Sequence, residues 1–381
     1  MFNLKFILMA WAVLFSPGIV VAAQGVEDTQ IRLAQVAALD GPAAALGQEM
    51  RLGMVAAFED ANENGGIHRR RIILESFDDG YEPDRAIAHV KSLIEGDKHL
   101  GCIGAVGTPT SAATQPIATK ADMPFINPFT GAGFLRNAQL GNVFNVRSTY
   151  AAETEAWIEY LVDRQGMKTI ALPYQDDGFG RVDLAGVTAA LEMRDMKRVA
   201  EGTYTRNSLA VKRALLEIRK AKPDAVVMVG AYKPVAEFIR LSRKLRFNPT
   251  FVNISFVGSK ALATDLGPDR EGVIVSQAVP FPWDTSVPVV AQHQEAFAAI
   301  AGDTKPGFVS LEGYLTGRLA IKALEDAGKD LTRTRFLAAL RNLGSIDFGG
   351  VTMQFGPDDN QGMDDVFLTR ITQDGGFVSV E

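Results

Sequence analysis

The sequence is poor in the residues that most often announce chemistry. Among 381 residues there is one cysteine, Cys102, so no internal disulfide and no cysteine-rich metal cluster can form. The four histidines, His68, His89, His99 and His293, stand far apart and lack metal-ligand spacing. An excess of basic charge is missing too. The 39 Lys+Arg against 45 Asp+Glu give a formal charge of -6, the wrong sign for a nucleic-acid partner. With 22% charged and 47% hydrophobic residues, the chain is neither a polytopic membrane protein nor a disordered one. The phosphate-loop pattern ending in Gly-Lys-Ser/Thr is absent. So is the Gly-x-Ser-x-Gly nucleophile elbow. Gly131-Ala132-Gly133 opens like a dinucleotide fingerprint, but Arg136 stands where the third glycine is required. Without a nucleophile–base–metal set, no enzyme is expected, and no cofactor or metal. Cys102, inside an apolar run, reads as a small core residue.

The chain opens with Lys5, an apolar stretch from Phe6 to Val21 broken only near Ser16, Pro17 and Gly18, and then Ala22-Ala23. This pattern is expected to be a secretory signal at residues 1–23, cut after Ala23, because a membrane span needs about 20 apolar residues. No cysteine follows the cut, so a lipid anchor is not expected. Export of a chain without disulfides fits a bacterial periplasm.

From Ile31 onward, strands and helices alternate. Apolar strand runs are read at 31–39, 71–77, 99–106 and 124–127, with helices at 47–64, 83–95 and 110–121 between them. The pattern restarts with strands at 168–174, 197–202, 225–229, 250–254 and 272–276 and helices at 180–194, 208–221 and 235–245. Helices at 287–300, 309–327 and 333–342 and a strand-rich end from Val351 follow. Such alternation predicts an α/β fold of two doubly wound parallel-sheet lobes. No Gly/Ser or Pro-rich linker separates them, so a hinge is expected rather than a tether. Ligands of open α/β sheets sit beyond the carboxyl ends of the strands. Two facing sheets therefore make a cleft.

Three loops follow strands: Asp40 to Gly47, Gly107 to Pro116 with its continuation Asn127 to Gly131, and Tyr174 to Gly180. In their order and spacing, together with the export signal, they resemble the type I periplasmic solute-binding proteins of the leucine/isoleucine/valine-binding protein family. The resemblance spans essentially the whole chain after the signal. It implies a three-segment hinge, with residues 27–147 plus 279–349 as lobe one and 148–278 plus 350–381 as lobe two. It also implies a substrate-binding component that closes on a small amino acid or related carboxylate and delivers it to an inner-membrane ABC permease. The alternative is a sensory binding protein for a carboxylate, amide or urea-like solute, with a receptor in place of the permease.

The resemblance assigns residues as well. Ser111, at a helix start where backbone N–H groups favour an anion, is the expected carboxylate contact; Thr110 beside it either joins it or caps the helix. Phe129, Thr130 and Gly131 match the second ligand loop of lobe one. Leu46 stands where relatives often carry an aromatic residue, and Phe179 where they often carry tyrosine. Tyr232 follows a lobe-two strand, and Tyr81 is a further lobe-one candidate. Ser255 occupies the place where amino-acid-binding members put an acid. Either Asp176, Asp177 or Glu312 replaces that acid, or the ligand has no amino group.

Overall fold

The structure is a computed structural model that describes residues 24–380. The expected signal at residues 1–23 lies outside the described residues.

The first lobe is built on β1 (Gln30–Ala37), β2 (Arg71–Asp78), β3 (Cys102–Ile103), β4 (Phe125–Ile126) and β5 (Val143–Phe144), with α1 (Ala44–Glu63), α2 (Pro83–Gly96) and α3 (Thr108–Lys120) between them. The second begins with α4 (Tyr150–Ile158). It continues through β6 (Ile170–Gln175), α5 (Gly178–Glu192), β7 (Ala200–Tyr204), α6 (Lys212–Ala221) and β8 (Ala225–Met228). Then come α7 (Tyr232–Lys244), β9 (Thr250–Asn253), α8 (Ser259–Leu266) and β10 (Ile274–Gln277). Helices α9 (Pro288–Ala301), α10 (Phe308–Ala327) and α11 (Arg333–Arg341) return to the first lobe. A small ribbon of β11 (Ser345–Asp347) and β12 (Thr352–Gln354) follows, and β13 (Phe367–Ile371) with β14 (Phe377–Ser379) ends the chain.

The two sheets share one plan. Strand order is β2-β1-β3-β4-β5 in the first and β7-β6-β8-β9-β10 in the second, all parallel. Antiparallel β13 and β14 then extend the second sheet beyond β10. The central strands are buried on both faces and read as unbroken apolar runs, such as Ala225 to Met228. Flanking helices are one-sided: α6 buries Ala214, Leu215 and Ile218 and turns its Lys, Arg and Glu residues outward. In each sheet the direction of strand addition reverses between β1 and β3 and between β6 and β8, which remain parallel. Those two switch points are where open α/β sheets bind ligands.

Some boundaries differ from the sequence reading. The apolar run 99–106 forms only a two-residue strand, because Gly104 adopts φ +64 and turns the chain out of the ladder. Pairing resumes as a single bridge between Val106 and Phe129. Helix α3 starts at Thr108, since Gly107 with φ +106 makes the turn, so Thr110 and Ser111 lie inside its first turn. Passage to the second lobe was expected at residue 350, but the chain still packs on the first lobe as far as Gln361. Asn145 N donates to Asn360 O at 2.8 Å, Asn360 Nδ2 donates to Leu135 O at 2.9 Å, and Phe355 meets Phe144 edge-on.

Helix α10 is buried on nearly every side from Phe308 to Gly317, as a helix between other layers must be. It lies against α1 and α9. On α9, His293 is fully buried between the rings of Phe297 and Tyr314, at 5.5 and 5.4 Å, and neither ring nitrogen has a hydrogen-bond partner among the described residues. Burial pushes its pKa down to about 4, from an ordinary value near 6.5. The unfolded chain therefore takes up a proton that the folded chain refuses. Stability contributed by the neutral ring is present above pH ~6.5 and is lost as pH falls toward ~4, by about 3 kcal/mol in all. His293→Phe should flatten the fall in melting temperature between pH 7 and pH 4.5. An unchanged slope would mean that the ring accepts a proton inside the fold.

Candidate ligand-binding site

The loops after β1 and β3 face those after β6 and β8, and side chains from the two lobes meet between them. Phe256 of the second lobe is fully buried at the centre. Its ring lies 4.8 Å from Phe179, 5.5 Å from Phe129 and 5.8 Å from Tyr81, centroid to centroid. Two first-lobe rings and two second-lobe rings thus form one apolar wall. Around it, polar contacts cross between the lobes. Gln175 Nε2 donates to the Tyr81 hydroxyl at 3.3 Å, and Ala45 N to the Tyr232 hydroxyl at 3.5 Å. At one rim, Asn207 donates to Gly80 O and Glu82, and Arg206 pairs with Glu82 at 2.8 Å. At the other, Lys260 lies 3.6 Å from Glu49.

The residues expected from the sequence fall into two groups. Ser111, Phe129, Gly131, Phe179, Tyr232, Leu46, Ser255 and Tyr81 are brought to this boundary. Ser111 is fully buried in the first turn of α3, where that helix packs against α5, and its Oγ has no hydrogen-bond partner among the described residues. Leu46 is buried against Gly258, which holds a φ of +74 and where an added Cβ would collide with the Leu46 side chain. Gly131 lies against the Tyr150 ring. Tyr81 holds a left-handed φ of +62, fixed by its N–H donating to Asp79 at 2.7 Å, and its ring covers Gly107. Backbone strain of this kind collects at functional loops.

Thr110 and Thr130 also lie in these loops, but their hydroxyls are engaged locally. Thr110 Oγ1 donates to the Gly107 carbonyl at 3.1 Å and also to that of Val106. Thr130 Oγ1 is 2.7 Å from Thr108 Oγ1. In a first helical turn a threonine turns its hydroxyl back to the preceding chain when nothing else competes, and Thr130, in a loop, is taken by Thr108, so neither threonine is set up as Ser111 is.

Three residues with large roles here were not singled out from the sequence: Phe256, Arg147 and Glu153. Arg147 lies in the first crossing between the lobes and is fully buried, with its guanidinium carbon 4.7 Å above the Phe129 ring. Its Nη2 donates to Glu153 at 3.3 Å and to Ser255 Oγ, and its Nη1 is 3.8 Å from Glu312. Burial opposes the charge on Arg147, but Glu312 and Glu153 together hold the guanidinium more basic than usual. Burial pushes Glu312 above the ordinary carboxylate range, offset in part by Arg147 and Asn127. Glu153 could have been found from its spacing. It lies on the buried stripe of α4 made by Tyr150, Thr154, Trp157 and Ile158, where a charge requires a partner.

The carboxylate that lies against Ser255 is that of Glu153, which accepts from Ser255 N at 2.9 Å and Ser255 Oγ at 2.8 Å. Neither Asp176 nor Asp177 plays that part. Asp176 is exposed and pairs with Arg181 at 2.9 Å; Asp177 caps α5 through Phe179 N and pairs with Arg206.

Two lobes of one plan, joined by three passages of chain and facing each other across strand ends, define a solute-binding protein of the two-lobed periplasmic class. The chain belongs to the type I periplasmic binding proteins of the leucine/isoleucine/valine-binding protein family: the family described as "Periplasmic binding protein" matches residues 30–376. The crystal structure of a "possible leucine/isoleucine/valine-binding protein" from Rhodopirellula baltica SH 1 superposes with a TM-score of 0.88 at 33% identity, covering 95% of this chain and 98% of that one. Leu/Ile/Val-binding protein homolog 7 of Brucella abortus is 22% identical over 371 residues, covering 93% of this chain and 92% of its own. The Leu/Ile/Val-binding protein of Citrobacter freundii is 23% identical over 283 residues, covering 73% and 75%. Membership implies a periplasmic protein that binds a solute. No helix among the described residues is long and apolar enough to cross a membrane.

Proposed function

We propose that this protein is the substrate-binding component of an ABC transporter, capturing a small amino acid or related carboxylate between its lobes and presenting it to an inner-membrane permease as the lobes swing together about the three crossings. The observation that carries the reading is Ser111. A hydroxyl fully buried between the lobes at a helix N-terminus, with no hydrogen-bond partner among the described residues, suits a ligand carboxylate that completes its hydrogen bonding. The names of its relatives support a small amino acid or kindred acid. Selectivity would come from the difference in ligand affinity between separated and apposed lobes.

A thermal-shift screen of amino acids, aliphatic and aromatic acids, dicarboxylates and amides identifies the solute, because a ligand of the native state alone raises the melting temperature. Small-angle scattering should then show compaction with that solute. Ser111→Ala is expected to weaken a carboxylate solute by about 10–100-fold, the loss of one hydrogen bond to a charged group. The unliganded melting temperature should barely move, since Ser111 Oγ makes no hydrogen bond among the described residues. Equal affinity in the variant removes Ser111 from the site. Deleting the gene should abolish uptake of that solute; intact uptake with a lost cellular response points to a receptor instead.

A further inference from the structure

Hydrogen-bonding capacity at the lobe boundary is unevenly used. Glu153 Oε1 accepts from Arg147 Nη2 at 3.3 Å and Ser255 Oγ at 2.8 Å; its Oε2 accepts from Ser255 N at 2.9 Å and from Ser276 Oγ. A carboxylate offers about four lone-pair positions, so Glu153 is saturated. Glu312 accepts from Asn127 Nδ2 at 3.4 Å on one oxygen; its other lies 3.8 Å from Arg147 Nη1, beyond hydrogen-bond distance. Asp183 is fully buried with neither oxygen bonded among the described residues. Burial, with the charge on Glu153 beside it, raises its pKa well above the usual carboxylate range. Asp176 and Asp177 are committed elsewhere. Glu153, the carboxylate against Ser255, thus has no acceptor position open for a cation.

Donors are left over. Arg147 Nε and Nη1 make no hydrogen bond among the described residues, and the guanidinium is bracketed by the rings of Phe129 and Tyr150 at 4.7 and 5.9 Å. Ser111 Oγ is in the same condition. An ammonium brought beside Arg147 would compete with the guanidinium for Glu153, whose acceptor positions are already filled, and that competition is costly where water is excluded. An oxyanion would meet donors. Its carbon skeleton would lie on Phe129, Phe256 and Tyr81.

Resting on the reading of the cleft as a solute site, we propose that Arg147 supplies from within the protein the positive charge that an amino acid would carry as its ammonium. The solute is then an apolar monocarboxylate without an α-amino group.

Matched pairs test this, each differing only in the amino group: 4-methylpentanoate against leucine, and 3-phenylpropanoate against phenylalanine, by calorimetric titration of the purified protein. At least one acid should bind about tenfold or more tightly than its amino partner, a difference of about 1.4 kcal/mol or greater. Equal or tighter binding of the amino acids overturns the inference. So does silence from all four while another solute raises the melting temperature, and the cleft reading then survives. Failure of every solute in the wider screen to bind or compact the protein overturns the cleft reading itself. Arg147→Met supplies a second arm. It leaves Glu153 without its cation, so preference should invert toward the amino acid, whose ammonium also restores melting temperature; an unchanged preference counts against Arg147. If that variant does not fold, the matched pairs on the unaltered protein decide alone.

Discussion

Gly53→Ala destabilises the first lobe by about 3 kcal/mol or more, although alanine is the better helix former by about 1 kcal/mol. Helix α1 crosses α10 at glycines on both sides. A Cβ on Gly53 would stand 2.7 Å from Tyr314 N and closer still to the Ser310 carbonyl oxygen. One on Gly313 would be 3.1 Å from the Met50 carbonyl carbon, and one on Gly317 2.6 Å from Ala57 Cβ. These are backbone atoms and an alanine Cβ, obstacles that no rotamer change can clear, so the helices must move apart. Close packing of interiors makes such displacement costly. The opposite side of α10 carries Glu312 and Thr316, which hold Asn127 in the second ligand loop. Solute affinity should therefore fall with stability. Gly96→Ala, at the last residue of α2 with nothing within 4 Å of the added carbon, is the control and should be neutral or slightly stabilising. Urea midpoints followed by circular dichroism separate the two; a Gly53→Ala midpoint equal to that of the unaltered protein refutes the close crossing.

Glu153→Ala carries the other large effect, a loss of about 3–5 kcal/mol. The substitution strips Arg147 of its nearest anion and leaves Ser255 N and the Ser276 hydroxyl without their acceptor. A buried charge deprived of its partner costs far more than the pair contributes. Replacing both members, as in Arg147→Met with Glu153→Leu, should consequently recover much of the loss. Chemical denaturation of the two single variants and the double variant closes the cycle. A single-variant loss under about 1 kcal/mol, or a double variant no better than the sum of the singles, means that Arg147 and Glu153 do not act as a pair.

The alternation of strands and helices was legible because both leave local marks. Apolar runs of strand length are interrupted by amphipathic stretches, and Asn64-Gly65-Gly66 punctuates the first of them. Local marks fail where backbone conformation overrides side-chain pattern, as at Gly104, which cuts an apolar run to a two-residue strand. The loops of the candidate site were legible for a related reason: they follow strand ends, and a doubly wound sheet puts strand ends in one place. Arg147, Glu153 and Phe256 were not. Arg147 meets Ser255 across 108 positions of sequence, and nothing near either residue announces the other. Phe256, between Ser255 and Val257, reads as one more core residue until a second lobe is set against it. Thr110 shows the converse. It adjoins Ser111 in the same helical turn, and only the direction of its hydroxyl separates the two.

The second sheet is completed out of turn. Its outer strands, β13 and β14, come from the far end of the chain, and β13 pairs with β10 from Ile274 opposite Arg370 to Gln277 opposite Phe367. Since a ribosome delivers the chain from its N-terminus, all of α9, α10 and α11 emerge before that pairing can form. Until then β10 presents a bare row of peptide groups, the kind of edge along which separate polypeptides zip together. The closing strands therefore act as a cover fitted last, and a chain cut short of Phe367 would keep its parallel strands yet expose an adhesive margin to its neighbours.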